Sequence, residues 1–185
     1  MHKFQAPENT ITHQSEWGGC LYLVAVLEPS SGEVTSLIRD WLLRRGNGPS
    51  VVLTRGEALH SFSGKYDLFV AVSGDGEVIE SAKAQNLCCR VLLTPGGRCR
   101  ALSEIPSQWV VSYGLAVRDS LTVSSLEPKQ AVLALQRELV TLEGTVLERQ
   151  ELPLPIPPET GAEGLMALYG SLLILGVPPE ELSLV

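Results

Sequence analysis

The residues with most to say about chemistry lie in one turn, Leu27-Glu28-Pro29-Ser30-Ser31-Gly32-Glu33-Val34-Thr35-Ser36. It follows an apolar run and precedes an amphipathic segment, the layout of a P-loop, which holds phosphate at a helix N-terminus. Such a loop works through backbone N–H groups and small hydroxyls. Ser30, Ser31, Gly32, Thr35 and Ser36 are the residues placed to donate to an anion there. A catalytic loop also needs glycines where the backbone approaches phosphate, and a lysine that reaches the β/γ oxygens. Here Glu28, Pro29 and Glu33 occupy that region. Two carboxylates repel a polyphosphate, and proline removes an N–H donor. The same serines suit a plainer role, with Ser30 or Ser31 capping the helix. The expectation is a scaffold kept and a catalysis lost.

Other reactive side chains form no set. His60 has no serine or cysteine that spacing pairs with it, so no nucleophilic triad is expected. Asp75 sits between two glycines, as a turn residue does, although the carboxyl end of a strand is where α/β sites occur. Cys20, Cys88, Cys89 and Cys99 lack the spacing of a zinc site and read as free thiols of a reducing compartment. No catalytic residue and no metal ligand is assigned.

The elements that position the turn can be read from periodicity. Residues 1–19 form a polar arm ending at Gly18-Gly19, and residues 20–185 a single domain. The apolar run 20–27 has the pattern of a central parallel strand covered on both faces. Residues 33–45 place Val34, Leu37, Ile38, Trp41 and Leu42 on one helical face, with Arg44 and Arg45 at the helix end before Gly46. Strands follow at 50–54, 67–73 and 90–94, with an ambiguous piece at 57–63 and a helix at 77–85. That alternation predicts an α/β fold with a mostly parallel sheet and right-handed crossovers. Residues 109–113, 120–124, 131–138 and 145–152 read as an appended antiparallel section, with a helix over 130–142 as the alternative. Residues 153–158, rich in proline, read as an extended linker. A final helix over 164–175 carries Leu165, Leu168, Leu172 and Leu175 on one side.

Bulk composition narrows the partners. A chain of 185 residues with 44% hydrophobic residues is long enough to bury a sizeable core. Its net charge of −7 opposes a nucleic-acid partner. Arg90, Arg98 and Arg100 are its one small basic cluster, of the kind that usually serves solvation. Residues 1–17 lack the apolar stretch of a signal peptide, and no apolar run is long enough to span a bilayer, so a cytoplasmic protein is expected.

Taken together, four stretches resemble the central ATP-binding domain of the Mur ligase family, whose members form amide bonds in cell-wall precursors. Val24-Ala-Val26, the turn and residues 36–46 are similar to the family's P-loop strand and helix. Glu80-Ser-Ala-Lys-Ala84 is similar to its Ala-Lys helix, whose lysine is carbamoylated in many members; Lys83 is the equivalent residue. Val110-Val-Ser-Tyr-Gly-Leu115, with Asp119 after it, matches the strand that ends in a Tyr/Phe-Gly pair. Residues 151–157, 165–175 and 176–182 resemble the domain's closing motif, helix and exit.

The departures from that family carry the functional expectation. The P-loop lysine is missing, and the acidic metal ligand with its Asp-His motif has shrunk to Ser73-Gly-Asp-Gly76. Thr160, Gly161 and Gly164 fall where the family has His-Asn-x-x-Asn. Flanking substrate and ligase domains are absent from the chain. A phosphoryl-transfer site must neutralise several negative charges with lysine and Mg²⁺. The resemblance therefore implies a pseudoenzyme with no cofactor, acting as a binding or scaffolding protein through a protein partner or self-association, and linked to cell-wall precursor metabolism. The alternative is a nucleotide or anion sensor, or part of an amide ligase completed elsewhere, which would bind ATP or ADP.

Overall fold

The structure, a computed structural model, describes residues 21–28, 31–45, 49–72, 86–97, 100–158 and 160–182. Strand β1 (Leu21–Leu27) leads through helix α1 (Glu33–Arg45) to β2 (Ser50–Gly56). A 3₁₀ turn at Leu59–Ser61 precedes β3 (Gly64–Ala71), and β4 (Leu87–Pro95) leads through the short helix α2 (Arg100–Ser103) to β5 (Ser107–Tyr113). Next come β6 (Leu121–Leu126), β7 (Gln130–Leu135), β8 (Leu139–Val140), β9 (Val146–Leu147) and β10 (Gln150–Pro155). Helices α3 (Ala162–Ile174) and α4 (Pro179–Leu182) close the described chain.

Eight strands form one mixed sheet in the order β10-β7-β6-β5-β4-β3-β1-β2, and β8 pairs with β9 in a separate ribbon. Pairing is parallel from β2 across to β5. β6 touches β5 in parallel through the single pair Tyr113–Leu121, then pairs antiparallel with β7, as β7 does with β10. The predicted mostly parallel α/β sheet with an antiparallel section and a C-terminal helix is present. The connection from β1 to β2 runs one way along the sheet and that from β2 to β3 the other way. They lie on opposite faces, as a constant crossover hand requires. Val34, Ile38 and Trp41 of α1 pack with α3 on one face; Leu59, Phe62, Leu102 and Ile105 pack on the other. β1 is covered on both sides, which explains its apolar run.

Several expectations need correction. The strand expected over 131–138 is present as β7 but spans Gln130–Leu135, and the helical alternative over 130–142 is not adopted, since Ala131, Leu133 and Leu135 are buried together on the core face. The strand expected over 145–152 is divided at Glu148-Arg149 into β9 and β10. The proline stretch is not simply a linker, since Pro153 and Pro155 lie inside β10. Sheets accept prolines at an edge where no ladder N–H is required. The Ile156 N–H points at β7, reaching the Lys129 carbonyl at 3.2 Å. By the period of two, positions 153 and 155 face outward, where proline lacks only an unused donor. The helix expected over 77–85, the Asp75 turn and the arm over 1–19 lie outside the described residues. Among the described residues no helix is long and apolar enough to cross a membrane.

Candidate functional site: the N-terminus of α1

The order 2-1-3-4-5 of the parallel strands reverses direction between β1 and β3, and such switch points open a crevice at the strands' carboxyl ends. β1 ends in that position. The Val72 N–H bonds the Leu27 carbonyl at 2.8 Å, and the Glu28 N–H bonds the Gly56 carbonyl at 3.0 Å. β1 is thereby pinned to both neighbours just before α1 begins.

The Glu28 side chain turns inward and is 2% exposed. Its carboxylate accepts the Val34 N–H at 3.1 Å and the Thr35 N–H at 3.2 and 3.3 Å. Arg55, from the end of β2, brings its Nε to 3.3 Å from Glu28 Oε1, and its Nη2 lies 3.2 Å from Glu57. A buried carboxylate is tolerated only when paired and hydrogen-bonded, and here both conditions are met. The positive end of the α1 dipole favours the same charge. Glu28 thus sits on amides that a P-loop would offer to phosphate.

Around it the first turn is tightly built. Gly32 has φ +63°, and a Cβ there would lie 3.2 Å from Arg55 Nε, so a side chain is opposed by both conformation and space. The Gly32 carbonyl accepts the Ser36 N–H at 3.1 Å and the Ser36 hydroxyl at 2.8 Å. Thr160 donates its hydroxyl to Glu33 Oε1 at 2.9 Å, fastening the segment before α3 to the start of α1. The Thr35 hydroxyl is buried without a partner.

Of the residues expected at this site, the structure brings Gly32, Thr35 and Ser36 together in the first turn of α1, with Ser31 exposed at its entrance. Ser30 and Lys83 lie outside the described residues. The capping expected of Ser30 or Ser31 is performed at the Val34 and Thr35 amides by Glu28. Glu28, expected as a charge that repels a polyphosphate, is bonded inward to the Val34 and Thr35 amides. The sequence signal was an acidic residue directly after an apolar strand, with Gly32 permitting the reversal. Arg55 gave no local signal, because its place depends on β2 lying beside β1 in register with Val26.

A second knot lies at the carboxyl ends of β3, β4 and β5. The Tyr113 hydroxyl donates to the Ala71 carbonyl at 2.7 Å, and the Gly96 N–H donates to the Tyr113 carbonyl at 2.7 Å. Asp119 is 2% exposed, accepts the Ala116 N–H at 3.0 Å, and lies directly against Gly96 and Gly114. A Cβ on Gly114 would come within 2.6 Å of Asp119 Oδ2. Leu115 and Val117 project from the loop that Asp119 closes and are 81% and 91% exposed. Beside this knot a groove of about 580 Å³ runs between β4, β5 and α2, lined by Leu92, Thr94, Leu102, Ile105, Val110 and Ser112.

Elsewhere, His60 is exposed in the 3₁₀ turn, and Cys88 and Cys89 are free thiols. Burial, with a smaller contribution from Cys88, pushes the Cys89 thiol up to about 12. Cys89 is a core side chain and a poor nucleophile. No three His, Cys, Asp or Glu side chains converge on a metal position among the described residues. The arrangement holds a buried carboxylate on the first-turn amides of α1. No protein-family model matches the chain, and a search of curated proteins found no match either.

Proposed function

We propose that this chain is a non-catalytic, cytoplasmic binding or scaffolding protein, built on an α/β domain of the Mur ligase central type whose phosphate seat is filled from within. One observation carries the reading: the Glu28 carboxylate rests on the Val34 and Thr35 amides and is held there by Arg55. An incoming phosphate would have to displace a charge already bonded to those donors and would meet Glu33 beside it. With no lysine in the turn, nothing in it compensates a triphosphate. The retained scaffold is then available for protein contacts, and the family resemblance ties those contacts to cell-wall precursor metabolism.

Calorimetric titration with ATP and ADP, with and without Mg²⁺, tests this. The expected outcome is no saturable heat up to millimolar nucleotide. Saturable micromolar binding overturns the proposal and favours the sensor. One feature speaks for that second reading: the buried Thr35 hydroxyl is a donor left unused in the first turn.

A further inference from the structure

We draw no further inference here: the strongest candidate, the apolar groove between β4, β5 and α2 beside the exposed Leu115 and Val117, is open only among the described residues, and nothing in the structure shows what covers it.

Discussion

Glu28 and Asp119 are equally hidden, each 2% exposed, yet they are held in different ways. Glu28 is served by groups brought from separate elements: two amides of α1 and the Arg55 guanidinium from β2. Asp119 is served locally, by the Ala116 amide three residues away, and is wedged against glycines at the ends of β4 and β5. The first carboxylate joins parts of the fold and neutralises a helix terminus; the second shapes a loop. The lesson is that burial alone does not give a carboxylate its role, and the origin of its partners does.

The comparison can be broken most severely at Glu28. Glu28→Ala leaves Arg55 without its buried counter-ion and two helix amides unsatisfied, and should lower stability by about 3 kcal/mol in urea unfolding. Glu28→Gln keeps an acceptor in the seat and should recover about half of that loss. Equal losses in the two variants would show that charge, rather than hydrogen bonding, holds the seat.

At Asp119 the critical feature is space. Gly96→Ala drives a methyl group into the Asp119 carboxylate and should cost about 2 kcal/mol, within the range of overpacked interiors. In an Asp119→Ala background the same substitution should cost far less, since contacting residues do not behave additively. An undiminished cost would place the strain elsewhere and dissolve the contrast.

The smallest effect sharpens the comparison with a third ionisable group. Burial, with a smaller contribution from Cys88, holds the Cys89 thiol neutral, with its titration pushed up to about 12. At pH 8 only about one part in ten thousand is thiolate, so native Cys89 should resist alkylation that it undergoes readily in denaturant. Rapid labelling of the native thiol would show that the cluster containing Phe69 and Leu92 opens.

Much of the frame was legible in the sequence, because it rests on local rules. The unbroken run before Glu28 identified a doubly covered strand, and Val34, Ile38 and Trp41 identified the buried face of α1. The double identity of Pro153 and Pro155, extended and yet paired, was not legible: proline excludes a central strand but not an outer one, and sheet order decides which applies. Helix formers such as Leu133, Ala134 and Leu135 lie in β7 because sheet burial outweighs a preference of a few tenths of a kcal/mol per residue. The turn was singled out in the sequence, but the bonding within it was not. Glu28 was read as a charge that repels a polyphosphate, and only the reversal through Gly32 and the arrival of Arg55 from β2 show it bonded inward to the helix amides.

α3 carries a further consequence. Residues Leu165–Ile174 are all buried, on every side of the helix, between α1 and the sheet. This is the signature of an interior helix rather than a surface one. It is also the last long element of the described chain. A ribosome making this protein therefore completes the eight strands before it releases the element that covers them. Through most of synthesis α1 alone roofs that apolar side of the sheet, and nascent chains with exposed surface of this kind are aggregation-prone. The helix that completes the interior is thus written after the sheet it covers.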